Sequence, residues 1–126
     1  MKNEYIQGDL VTNKYYTKVL IVIKTVKNMV YTRNRDAFSE TYLSHKDDVV
    51  PMLLTPEILE KNGWNEERYG LVYYKKVSET LYFRLIGKSY GWTLRCGNQN
   101  LIEKLEFVHQ LQHILFGIGL NSEMEV

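Results

Sequence analysis

Cysteine is nearly missing from this chain. Cys96 is the single one in 126 residues, which excludes an internal disulfide and leaves no cysteine cluster for structural zinc. Long apolar runs are missing too. The longest aliphatic stretch, Val19-Leu20-Ile21-Val22-Ile23, falls far short of the roughly 20 residues that cross a bilayer, so it reads as a buried strand. Charge of one sign is also lacking: a net +1 offers no field for steering onto phosphates and argues against a dedicated nucleic-acid binder. The opening Met1-Lys2-Asn3-Glu4 has no apolar run of signal-peptide character. The expectation is a cytoplasmic protein without membrane attachment. No His-Glu-x-x-His pattern occurs. Gly87-Lys88-Ser89 carries the letters of a phosphate loop but lies between two strand candidates, where it reads as a hairpin.

What the chain does contain is enough apolar sequence for a core, 44% with 13% aromatic, in a length that makes one ordinary domain or two very small ones. Its clearest local signal is Leu54-Thr55-Pro56-Glu57-Ile58-Leu59-Glu60-Lys61-Asn62-Gly63-Trp64. Thr55 is an N-cap, Pro56 at the first helical position gives up a donor that has no partner there, and Glu57 suits the positive end of the dipole. Asn62-Gly63 supplies a left-handed stop. Two turns are marginal in water, so this helix needs an apolar surface and serves as an anchor between strand-rich halves.

Before the anchor, Leu10-Val11, residues 15–23, 29–32 and 40–44 are β-branched or aromatic, while residues 32–39 are polar and read as a loop. The expectation is a small SH3-like β barrel or curled sheet over residues 1–52. After the anchor, residues 65–68 read as a polar turn and 71–77, 80–86 and 91–96 as an antiparallel meander. Alternation places Leu81, Phe83 and Leu85 with Trp92, Leu94 and Cys96 on a core face, and Tyr82, Arg84 and Arg95 on the other, joined there by Tyr73 and Lys75 or by Tyr74 and Lys76 depending on register. There Cys96 is a small apolar residue rather than a nucleophile. From about Glu103 to Gly117 the period turns helical. Phe107, Val108, Leu111, Ile114, Leu115 and Ile118 form an apolar arc expected to cover the meander, opposite Glu106, His109, Gln110 and His113. Leu101 to Leu105 suits either a strand or the helix's first turn, and Met124-Glu125-Val126 alternates like an edge strand. The whole is an α+β chain divided into 1–52 and 53–126.

The anchor together with Phe107-Val108-His109-Gln110-Leu111-Gln112-His113-Ile114-Leu115-Phe116 resembles a family of small uncharacterised proteins of gut Bacteroidales and their phages and mobile elements. That family pairs an LTPEILEKNGW-type helix with a YVHQLQ-like one. Phe107 stands where Tyr is usual and His113 where Asn is common. The resemblance implies a bacterial intracellular origin and an α+β tail, and no activity.

For function the expectation is an accessory protein acting by protein–protein interaction, without catalysis and without a cofactor. Ten tyrosines suit recognition, and Tyr73, Tyr82, Arg84 and Arg95 are the docking candidates. The partner protein is unspecified, and an uncovered strand edge allows self-association. Two rivals stand beside it. A small-barrel nucleic-acid module requires Lys14, Lys18, Lys24, Arg33 and Arg35 to converge on one face. A metal-assisted hydrolase requires His109 and His113, four apart on one helix, to gain a third ligand. The plain reading of the two histidines is a solvated helix face.

Overall fold

The structure, a computed structural model, describes residues 4–126. It is α+β, with two five-stranded antiparallel sheets and two α-helices. The chain divides into two units: Met1–Leu53 with Phe107–Glu123, and Leu54–Glu106 with Met124–Val126.

Unit 1 contains β1 (Leu10–Asn13), β2 (Val19–Val26), β3 (Met29–Asn34), β4 (Ala37–His45) and β5 (Val49–Pro51) in the order β4-β3-β2-β1-β5. A 3-10 turn, Lys46–Asp48, precedes β5. No pairing joins β4 to β5 among the described residues, so the sheet is open rather than a closed barrel. Its core is Tyr5, Val11, Leu20, Val22, Val30 and Val49, with Tyr42 packed against them. Two local expectations are corrected. Tyr15 and Tyr16 belong to the β1–β2 turn, where the Asn13 side chain accepts from the Thr17 and Lys18 N–H groups. The polar stretch 32–39 extends strands to Asn34 and from Ala37 instead of looping out, because β3 pairs on both sides, with β2 and β4, and buries Thr32 and Asn34 despite their polarity.

Unit 2 contains α1 (Pro56–Lys61), then β6 (Asn65–Arg68), β7 (Val72–Lys76), β8 (Tyr82–Lys88), β9 (Gly91–Cys96) and β10 (Gln99–Leu105), in meander order. α1 starts as its sequence dictates, with Thr55 Oγ1 accepting from Ile58 N–H at 3.3 Å. It ends in a Schellman turn: Gly63 N–H donates to Glu60 O, Trp64 N–H to Leu59 O, and Gly63 has φ 81°. Ile58, Leu59 and Trp64 are buried. Residues 65–68, expected as a turn, form β6, since even wholly exposed side chains leave the backbone free to pair with β7. Leu101 to Leu105 is strand, and Met124–Val126 is not; Glu125 is instead clamped by the Asn62 amide, N–H to Oδ1 at 2.8 Å and Nδ2 to O at 2.7 Å.

The C-terminal helix α2 (Val108–Gly117) departs most from expectation. It packs in unit 1 against β1 rather than on the meander. Gln112 is the reason: its Oε1 accepts from Leu10 N–H at 2.9 Å, and its Nε2 donates to Gly8 O and Ser122 O. Val108, Leu111 and Leu115 are buried as the arc predicts, but so are His109 and Gln112, while Ile118 is 51% exposed. The start of α2 has half a capping box: Gln110 Oε1 accepts from Phe107 N–H at 2.9 Å, and Phe107 has no side-chain acceptor to return.

Candidate functional site

The register of unit 2 sorts its side chains by face. Tyr73 pairs with Leu85, and Leu85 with Leu94; Tyr74 pairs with Arg84, and Arg84 with Arg95. The first row lies toward α1, where the Tyr73 hydroxyl donates to Glu66 at 3.1 Å and to Glu60 at 3.4 Å. Tyr73 is 1% exposed, which corrects its expected place on the docking face. Burial first, then the Glu66 hydrogen bond and the charges of Glu60 and Glu66, push its phenol up to about 12. Tyr74 takes the surface position instead. The doublet Tyr73-Tyr74 offers one residue to each face, and only pairing with β8 decides which.

The second row is Asn65, Tyr74, Arg84, Arg95 and Asn100 across all five strands. Tyr82, 37% exposed, sets its ring edge-on to Tyr74 at 6.0 Å between centroids. Arg84 Nε donates to Glu67 Oε2 at 3.1 Å. Arg95 forms no ion pair among the described residues, and its Nε is shielded from solvent with no acceptor. Two guanidinium-bearing residues thus stand directly opposite on neighbouring strands, an unfavourable cross-strand pairing, and the carboxylate of Glu67 is bound to Arg84 on the side away from Arg95.

The five cations of the nucleic-acid alternative do not converge. Lys18 Nζ is bound to Tyr42 Oη at 2.7 Å and Glu40 at 3.4 Å, while Arg35 Nε lies 3.2 Å from Asp36. Lys14 sits over the Tyr15 ring at 5.3 Å, and Arg33 over Phe38 at 5.7 Å. Pairing of Arg33 with Ile21, and of Asn34 with Leu20, puts Arg33 on the face opposite the core residues Leu20 and Val22. Lys24 is exposed beyond the bulge of β2.

The histidines of α2 belong to a buried polar cluster of unit 1. His113 Nε2–H donates to Asp9 Oδ2 at 2.7 Å, and that oxygen also accepts from Ile6 N–H at 2.8 Å. Asp9 is 1% exposed. Burial raises its carboxyl, against the opposing pull of the Ile6 N–H and His113. His109 is 2% exposed, stacked on Phe107 and tilted against Tyr5, with its Nδ1 unpartnered. Burial, then the charge of His113, lowers it to about 4. Tyr5 is pushed up to about 12 by burial and the nearby Asp9 charge. The solvated helix face expected for these histidines is therefore corrected. The helical wheel places His109 opposite the apolar arc, but β1 and the segment around Tyr5 pack on that side as well. No group of three or more His, Cys, Asp or Glu is placed to hold a metal among the described residues. Cys96 is half-buried and free, and lies in the other unit from both histidines.

No protein-family model, curated protein or solved structure matches the chain. Among the described residues no helix is long and apolar enough to cross a membrane.

Period-2 alternation put Tyr82, Arg84 and Arg95 on one face, and the register has them there. Sequence reasoning missed Asp9, whose only signal was an Asp beside Gly8 at a strand entry, and the Asp9–His113 pair spans 104 residues. It also missed the exposure of Tyr15 and Tyr16, 71% and 72%, which the Asn13 turn signal allowed.

Proposed function

We propose that this chain is a non-catalytic interaction protein whose docking surface is the Tyr74, Tyr82, Arg84 and Arg95 face of unit 2. One observation carries the reading: an aromatic and two arginines stand in register on one half-exposed sheet face, with a second aromatic, Tyr82, diagonal to the first and edge-on to it. Tyrosine and arginine are the side chains that anchor protein interfaces, since each offers broad contact area with a directional polar end. The strands hold their spacing, so little ordering entropy is lost on binding. The SH3-like form of unit 1 belongs to the same proposal, supported by the order β4-β3-β2-β1-β5 and the 3-10 turn before β5. So does an origin in gut Bacteroidales or their mobile elements, supported by the two helix motifs. The dispersed cations of unit 1 argue against the nucleic-acid alternative.

A photo-crosslinking residue placed at Tyr82 tests the surface in cells of the source organism, with the 97% exposed Tyr69 as control position. The expected result is a discrete adduct from position 82 that position 69 does not give and that Arg84→Glu abolishes. Identical or absent adducts from both positions would remove the proposal.

A further inference from the structure

We propose that Arg84 and Arg95 form a receptor for a side-chain carboxylate of an acidic peptide lying extended beside Tyr74 and Tyr82. This rests on the docking face proposed above and names the chemistry of its partner.

Arg84 and Arg95 are direct cross-strand neighbours, a position where side-chain roots stand about 5 Å apart and like charges repel. Glu67 is bound to Arg84 alone, at 3.1 Å. Arg95 makes no ion pair among the described residues, and its Nε has neither water access nor an acceptor. A buried donor without a partner is destabilising, and a like-charged neighbour directly across the strand adds to that cost. A carboxylate set against the outer nitrogens of both guanidinium groups relieves the like-charge contact, because it accepts from both.

The surroundings select among anions. Tyr74 stands directly opposite Arg84 on the other side from Arg95, and Tyr82 packs edge-on to Tyr74, so the arginines have an apolar, ring-lined flank suited to a peptide's aliphatic atoms. Asn65 and Asn100 at the ends of the row are neutral, so one anionic group fits better than a line of phosphates. Of the other cations that the register puts on this face, Lys76 is paired with Glu79 at 3.5 Å, while Arg68 and Lys88 stand two and four positions along the strands from the Arg84–Arg95 row. Within the row itself Arg95 is the one cation without an ion pair among the described residues, a single charge and too little for the counterion release that drives polynucleotide binding. An extended peptide also matches the geometry, since its alternate side chains point to one side with the strand's own period.

Three capped probes test this by NMR titration of the full chain, reading the arginine Nε–Hε and tyrosine ring signals: an alternating Glu-Ala octapeptide, its Gln-Ala counterpart, and single-stranded oligothymidylate of similar length. Saturable shifts at Arg84, Arg95, Tyr74 and Tyr82 with the Glu peptide, weakened about tenfold by Arg95→Gln and reduced by high salt, support the proposal. Glu67→Gln frees Arg84, and is expected to tighten the Glu peptide severalfold, a gain that misfolding cannot imitate. Equal binding of the Gln peptide, or unchanged affinity in Glu67→Gln, would overturn the carboxylate receptor. Oligothymidylate binding in place of the peptide would overturn it in favour of a nucleic-acid surface. If no probe binds while the Tyr82 crosslink persists, the face is an interface and the acidic ligand is wrong; loss of both removes the interface as well.

Discussion

Two buried residues set measurable penalties inside the core. His109 is a neutral imidazole held at about 4, below the ordinary 6.5, so as pH falls the unfolded chain takes up the proton first. The stability this group contributes is complete above pH 6.5 and is lost as pH falls through about 4, up to roughly 3 kcal/mol. Asp9 has a raised carboxyl, so the folded state takes up its proton first and offsets part of that loss at the acid end. His109→Phe removes the titrating group and the orphaned Nδ1, and keeps a ring between Tyr5 and Phe107. Urea midpoints of the variant are expected to change far less between pH 7 and pH 4.5 than those of the parent, and parallel curves for both proteins would show that His109 does not titrate as described. Tyr73→Phe deletes a buried hydroxyl bound to Glu66 and Glu60, with an expected cost of about 1 kcal/mol by urea unfolding and no effect on the Tyr82 crosslink. Neither residue's environment was legible in the sequence. Tyr73 shares a doublet with Tyr74, and the alternation within β7 is equally consistent with either register.

At the level of elements, α1 was the most legible because everything that defines it is local. Its cap, first-turn proline and left-handed stop act within a single turn of their own residues, and the structure reproduces each. Thr55→Ala is expected to cost about 1 kcal/mol. Gly63→Ala would cost roughly 1–2 kcal/mol, and for conformational reasons alone, since an added Cβ meets nothing within 4 Å at φ 81°. Guanidinium midpoints of the two variants check both values. Gly91 is the contrasting case, where an added Cβ would come within 2.9 Å of Leu105 O, so steric overlap adds to the strain. The strands of the meander were legible by alternation, whereas β6 was not. Its side chains are all exposed, so no burial pattern marks it, and only the backbone of β7 makes it a strand.

For the whole molecule, the decisive element is α2. Gln112 is 3% exposed and makes three hydrogen bonds, one of which satisfies the N–H of Leu10 in β1. A chain ended at residue 106 is therefore expected to lose the dispersed NMR signals of β1 to β5 while keeping those of β6 to β10. Loss from the meander with β1 to β5 intact would mean that the helix serves unit 2, as the division at residue 52 implied. Gln112→Leu leaves the Leu10 N–H without a partner, at an expected cost of about 1–3 kcal/mol, and hydrogen exchange at Leu10 would report it.

The amino-acid sequence by itself determined the short capped helix, the apolar arc of α2, the strand-rich halves and the shared face of Tyr82, Arg84 and Arg95. Each is a matter of neighbours within one or two turns, or of alternation along one strand. Only the tertiary structure decided which tyrosine of the doublet faces outward, which sheet receives α2, and that Asp9, His109 and His113 meet. These depend on register and on contacts as distant as 104 residues, where an amphipathic face specifies that it must be covered but not by what.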